Sequence, residues 1–477
     1  MSSSDEIIDL EALAVKTQRV FGDLVIDKRR LHASRLIQRG IPGYVAEWVL
    51  DTVAPGSGIL SSADTDKVNA WASRAIPGAD DQNIIKSRLY DGETVKVLTS
   101  LQVDVIISRS KQDRIGKLSL LGINDALVPD DLMKRYPELL RGGMWGITEL
   151  LNTDKGVIIA SFKPMQSTVD LSVWKQARSE FTLTEWRALL MLSMGYNPHM
   201  FSIKEQRLML CRLLPLVQKH THLIELAPKG TGKSFIYENI SPRVRLVSGG
   251  NISPAVLFVN NVNGLPGILA RYATVVLDEV QTLKFERPEE IVGGLKGYLA
   301  NGKLTRGGLH EIASDCGLVL LANILLDDQQ KPVNEPLLVR ELPKFLQETA
   351  FLDRMRGIIP GWKIRKLTSN SFATTLGLKA DFFGSVLISL RDDLEVDQRV
   401  EQEVRLIGER TYKRNADSVR ILASGLCKLL FPNQECSEQE MRQECALPAA
   451  NLRQYIWEQL YQLDPEYRQF DHSLQIA

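Results

Sequence analysis

The sequence predicts a multidomain α/β protein: a core of buried parallel strands with a helical lid, preceded by a helical module and a small five-stranded barrel. Three observations predict it. At residues 225–234 the run ELAPKGTGKS carries an apolar strand into a glycine-rich turn and then into a helical pattern. Two further apolar runs, TVVLD at 274–278 and GLVLLAN at 317–323, end in polar residues and repeat the interval of 45 residues that separates Lys233 from Asp278. Near Thr94 the apolar period changes from helical to alternating. At 477 residues the chain has length for two to four domains.

Composition sets the outer bounds. Hydrophobic content of 44% and charged content of 24% are those of an ordinary soluble protein. The formal net charge is zero, so no global basic field marks a nucleic-acid binder, and any such contact must come from local patches. Cys211, Cys316, Cys427, Cys436 and Cys445 are scattered without a CxxC pair, which predicts free thiols in a reducing compartment. The N-terminus lacks a signal-peptide apolar region, and no apolar run reaches membrane-spanning length. A cytoplasmic protein with no membrane partner is expected.

Residues 1–92 space their apolar side chains three and four apart, around Leu10, Leu31–Ile37 and Tyr44–Val53, with turns at 40–43 and 55–58. They predict a helical module. Residues 93–166 alternate. Strands are expected at 94–98, 102–107, 117–122, 144–148 and 156–162, with a helical interruption near 129–140, in the manner of an OB-type barrel. Lys111, Arg114, Lys117 and Trp145 would line a strand-binding groove there, or form a solvated loop beside a core tryptophan. Residues 167–218 turn helical again and read as a linker. The core is expected over 219–365, the lid over 366–435 and a C-terminal helical tail over 436–477.

The chemistry concentrates in the core. In the turn Pro228, Lys229, Gly230, Thr231 and Gly232 would wrap phosphate oxygens with backbone N–H groups, and the following helix adds its positive end. Lys233 would reach the β- and γ-phosphates of ATP, and Ser234 would place its hydroxyl on Mg²⁺. Ala227 stands where the usual pattern begins with glycine. Asp278 would hold Mg²⁺ at the end of its strand, with Glu279 polarising the attacking water. Asn323 would hydrogen-bond that water or the γ-phosphate, although an asparagine after a strand also serves as a simple turn former. Arg354, in FLDR, would reach a neighbouring subunit's phosphate, and Arg420, at the start of an apolar helix, would sense the γ-phosphate from the lid. Taken singly, either arginine also fits a surface ion pair. Between the second and third strands, GKLTRGG at 302–308 predicts a hairpin whose Lys303 and Arg306 would meet the phosphates of DNA, or form a solvated edge. The loop SGGN at 248–251 has no aromatic, which favours nucleic acid over a threaded protein as cargo.

The order of these motifs resembles the AAA+ ATPases. More narrowly, LAPKGTGKS (226–234), SGGN (248–251), LDEVQTLKF (277–285), LKGYL (295–299), FLDR (351–354) and IPGW (359–362) resemble the BrxL family, the Lon-like proteins of BREX bacteriophage-exclusion systems. DLEAL (9–13) and LRGGMW (140–145) extend the resemblance weakly to the N-terminal part. It implies a ring-forming, DNA-associated ATPase in antiphage defence, with a helicase-like core akin to the minichromosome maintenance proteins. It implies Arg354 as arginine finger and Arg420 as second sensor. The expected partners are DNA, double-stranded and read without sequence preference, further copies of the chain in hexamers or stacked hexamers, and other BREX proteins. Longer family members carry a Lon-type protease domain with a Ser–Lys dyad. Only 57 residues follow Arg420, so a short form without that domain or its activity is expected. A protein unfoldase serving a separate protease, and a nucleotide-gated scaffold with slow turnover, are the alternatives.

Overall fold

The structure is a computed structural model and describes residues 8–78, 80–107, 112–165, 169–261, 264–306 and 310–477. Its N-terminal part is helical, as the spacing predicts: α1 (Leu10–Phe21), α2 (Arg29–Ser34), α3 (Gly43–Val53), α4 (Ser62–Ala75) and α5 (Asp81–Tyr90), with one short strand, β1 (Val25–Asp27). Asp9 caps α1 by accepting from Glu11 and Ala12 N–H, and Ser61 caps α4 through Asp64 N–H.

The alternating region forms a closed barrel from β2 (Val95–Ile107), β3 (Gln112–Leu118), β4 (Ile123–Leu127), β5 (Met144–Thr153) and β6 (Gly156–Pro164), in the order β2-β3-β4-β6-β5. Helix α6 (Asp130–Arg135) supplies the helical interruption. The expected partition into strands is corrected. The stretches expected as separate strands at 94–98 and 102–107 are one 13-residue strand, because the alternation continues through Thr99, Leu101 and Val103 without a turn residue. Strand β4 went unread because its pattern, Ile-Asn-Asp-Ala-Leu, places two exposed polar residues side by side. Of the groove candidates, Arg114 is paired with Asp130, and Lys117 lies 2.6 Å from Asp104. Trp145 packs against the helical module's core. Those three side chains therefore hold structure, and Lys111 lies outside the described residues.

Helices α7 (Leu171–Arg178), α8 (Leu183–Ser193), α9 (Ile203–Cys211) and α10 (Leu214–Val217) lead into the core. There β7 (Leu223–Ala227) is followed by α11 (Lys233–Asn239), β8 (Val244–Ser248), β9 (Asn251–Ile252), α12 (Pro254–Leu257), α13 (Ile268–Arg271), β10 (Thr274–Asp278) and β11 (Lys284–Phe285). Next come α14 (Pro288–Asn301), the hairpin β12 (Lys303–Arg306) with β13 (His310–Ala313), then β14 (Gly317–Asn323), α15 (Thr349–Leu352) and β15 (Gly357–Pro360). Five strands form one parallel sheet in the order β15-β7-β14-β10-β8. Both faces are covered, which is why its strands are continuously apolar: Val319 and Leu321 of β14 enter one core, Leu318 and Leu320 the other.

The remaining elements are β16 (Leu376–Leu378), α16 (Ala380–Ser389), α17 (Leu394–Glu403), β17 (Leu406–Ile407), α18 (Lys413–Leu430), α19 (Glu438–Glu440), α20 (Leu447–Leu463) and β18 (Gln475–Ile476). Strand β16 pairs antiparallel with β1, and Glu47 of α3 joins a buried ion pair with Lys28 at 2.7 Å while accepting from Ala380 N–H. These contacts fasten the helical module to the α16 segment. The stretch expected as a tail is built into the core: Trp457 and Arg453 of α20 are fully buried, and Arg453 spans to Asp353 and the carbonyl of Met355.

Candidate nucleotide site

The sheet carries its polar residues at the C-terminal ends of β7, β10 and β14. Strand β7 delivers the turn Pro228–Gly232, and Lys233 opens α11. Gly232 adopts φ +71, and a Cβ there would lie 2.7 Å from Leu367 and 2.8 Å from the Tyr196 hydroxyl. Only glycine fits both the backbone and the space. The turn is braced from several sides. The Tyr196 hydroxyl donates to Gly232 O at 3.3 Å, and Leu367 N–H donates to Gly230 O at 2.8 Å. Beneath it, the fully buried Arg212 donates to Glu225 at 2.6 Å and to Thr231 O at 3.2 Å. Ala227 limits its neighbour as well. An added Cβ on Gly361, at the end of β15, would sit 2.4 Å from the Ala227 Cβ, so the two strand ends tolerate little bulk between them.

Lys233 is 8% exposed and donates to Asn323 Oδ1 at 2.8 Å. Burial draws its ammonium below the usual pKa, while Glu225, Asp278 and Glu279 oppose that shift. Asp278 is 7% exposed and accepts from Glu279 N–H at 2.9 Å. Glu279 holds φ +47, a left-handed conformation that is costly for a residue with a Cβ. Neighbouring hydrogen bonds enforce it: Val280 N–H donates to Leu321 O at 3.0 Å, and the Gln281 side chain donates to Asn323 O at 2.9 Å. The structure therefore brings Lys233, Asp278, Glu279 and Asn323 to one sheet end. Ser234 and Asp278 offer a hydroxyl and a carboxylate, hard oxygen donors of the kind that Mg²⁺ takes, so the residues fit that ion.

Arg354 and Arg420 lie elsewhere. Arg354 precedes β15, which runs parallel to β7, and the next residue but one, Arg356, donates to His222 O just before β7 begins. The finger candidate is therefore at the N-terminal edge of the sheet, about 16 Å of strand from the phosphate turn. Arg420 shares with Arg354, Arg356 and Arg414 a cleft of about 510 Å³. Its guanidinium donates to Val404 O at 3.3 Å and lies 4.0 Å from Asp417. Arg414 went unread in the sequence. It pairs with the buried Asp353, which also accepts from Tyr412 at 2.9 Å. The hairpin forms as expected at the same sheet edge, and Lys303 lies 2.8 Å from Glu311 on the facing strand. That pair partly neutralises Lys303.

Parallel sheet, phosphate turn, paired carboxylates and a polar strand end define an ATPase domain of the AAA+ class. The chain belongs to the BrxL family. Residues 157–473 match the family "Lon-like protease BrxL-like, ATPase domain", and residues 19–151 match "BREX system Lon protease-like protein BrxL N-terminal". Over 477 residues it is 29% identical to the Lon-like protease BrxL of Escherichia coli O9:H4 (strain HS), covering 96% of this chain and 66% of that one. A Lon-like protease BrxL of Bacillus cereus (strain H3081.97) is 29% identical over 448 residues, covering 91% and 64%. The chain thus spans about two thirds of the length of these relatives. A full-length MCM homolog from Methanopyrus kandleri superposes with TM-score 0.40 at 11% identity, over 94% of this chain and 100% of that one. A likeness that loose fixes no residue's role. Among the described residues no helix is long and apolar enough to cross a membrane.

Proposed function

We propose that this chain is a ring-forming ATPase that moves on or remodels DNA in BREX-type antiphage defence. One observation carries the reading. Lys233, Asp278, Glu279 and Asn323 gather at one end of the sheet, while Arg354 and Arg420 wait at the other. A complete site then needs a second copy, whose arginines approach the first copy's phosphates. In this reading Pro228–Ser234 hold ATP, Ser234 and Asp278 hold Mg²⁺, and Glu279 takes a proton from the attacking water. Mg²⁺ when bound would neutralise charge on the β- and γ-oxygens. Asn323 keeps Lys233 aligned and aids the water. The five-stranded barrel is read as an OB-like module, the 366–435 segment as the lid, and the hairpin with Lys303 and Arg306 as the DNA grip. Proteolysis is not part of this reading. Incubation with casein and ATP checks that point.

The decisive measurement is ATP turnover per chain against protein concentration, with and without duplex DNA. Turnover rising steeply with concentration and further with DNA supports the reading. Turnover independent of both would overturn it.

A further inference from the structure

A second polar cleft, of about 540 Å³, opens at the sheet edge opposite the phosphate turn, where barrel meets core. That volume is within the range, about 300–1,000 Å³, of pockets that hold ligands. Arg141 enters it from the turn before β5, Arg243 from the start of β8, Arg271 from the end of α13, and Lys219 from the segment before β7. One carboxylate, Asp315, lines it with them, and Asp315 is already engaged by Arg391 at 3.1 Å and Lys219 at 3.7 Å. Arg271 is held by Asp104 of the barrel at 2.6 Å. Arg141 is exposed and has no side-chain hydrogen bond or ion pair among the described residues. Arg243 Nη1 is buried without a hydrogen-bond partner. Burial, followed by Arg141 and Arg391, pulls the Arg243 guanidinium down to about 10. Two guanidinium groups thus face one space with no carboxylate of their own. The walls are fixed: Gly142 packs on Tyr272 so closely that an added Cβ would lie 2.8 Å from the ring.

We propose that this cleft is a binding site for the phosphates of a nucleic-acid backbone, with Arg141 and Arg243 as the contacting groups. Guanidinium forks match phosphate oxygens bidentately, and an unpaired arginine gains most from such a partner. The ligand follows from position. The cleft floor includes Asn301, Gly302, Ala313 and Ser314, which are the two feet of the β12–β13 hairpin. A strand gripped by the hairpin passes directly over it. The inference rests on the DNA reading above and adds a site that no hairpin residue supplies.

The test uses the full chain with a labelled 30-base-pair duplex and, separately, labelled inorganic phosphate. Arg141→Ala should lower the salt slope of duplex binding by about one, and Arg141→Glu should weaken binding roughly tenfold near 0.1 M salt. Arg243→Gln should act in the same direction, with its thermal midpoint measured because the residue is half-buried. Arg141 is exposed, so its variants report even where Arg243→Gln does not fold. Duplex affinity and slope unchanged in both Arg141 variants, while the wild type binds and Lys303→Ala/Arg306→Ala weakens it, would overturn the cleft and leave the DNA reading standing. No duplex binding by the wild type would remove both. Phosphate binding lost in Arg141→Ala with duplex binding untouched would overturn the proposal in favour of a free-anion site.

Discussion

Lys233 and Glu279 approach the same space with opposite charge and different tasks. Lys233 is aligned by Asn323, and in the proposed reading it would hold phosphate while Glu279 would act on water. Lys233→Ala should therefore abolish nucleotide binding, read by fluorescent-nucleotide titration. Glu279→Gln should bind normally and hydrolyse about 10²–10⁴-fold more slowly, as loss of a general base predicts. Normal turnover in Glu279→Gln would reassign the base. These residues were legible because strand-end carboxylates behind a glycine-rich turn have few other uses. Arg212 and Glu225 were not legible. They bond beneath the turn across 13 residues, and a buried ion pair leaves no periodic mark in a sequence. Cys427, Cys436 and Cys445 likewise looked scattered, yet α18 and the segments that follow it bring all three to one hydrophobic core.

Two elements give separate tests. Helix α9 is locked by its own capping residue: burial would raise the Glu205 carboxyl, but hydrogen bonds from Arg365 and Ser202 prevail and pull it from 4.5 to about 2. A depressed carboxyl stabilises the fold above its unfolded pKa, and that contribution is lost as pH falls through the folded value. Glu205→Gln should accordingly lower the thermal midpoint at pH 7, with the gap to the wild type closing between pH 4.5 and 2. A gap that stays constant over that window would remove Glu205 as its source. The hairpin is the second element. Lys303→Ala/Arg306→Ala should flatten the salt dependence of DNA binding by roughly one unit for each phosphate no longer neutralised, while ATP binding persists. Because Lys303 shares its charge with Glu311, Glu311→Gln should strengthen binding. Equal affinity in the wild type and both variants would move the grip off the hairpin. The hairpin was legible from the Gly-Gly pair in the sequence between two short strand-like runs. The Glu311 pairing was not, since it depends on register.

At the scale of the whole molecule, the proposed ring would join the two sheet ends of neighbouring copies as unlike halves of one site. Arg354→Ala and Lys233→Ala proteins should each be nearly inactive, with an arginine finger worth about 10³–10⁵ in rate. Mixed rings should recover turnover, because one Lys233-bearing subunit then meets an Arg354-bearing neighbour. Mixed assemblies verified by pull-down that stay inactive would refute action in trans. The overall order of module, barrel and core was readable from shifts in period. Strand boundaries in the barrel were not, because a long coiled strand and two short ones alternate alike. The fastening of module to core was hidden too: β1 and β16 are three residues each and lie some 350 residues apart.

The left-handed backbone at Glu279 has a consequence for anyone improving this protein by selection. A residue with a Cβ stores roughly 1–2 kcal/mol there, and asparagine carries that conformation more cheaply. A library screened for heat resistance should return Glu279→Asn, with a higher thermal midpoint and almost no turnover. Ranking variants by melting temperature alone would thus steer the search toward inert proteins, and only a paired activity screen would keep it from doing so.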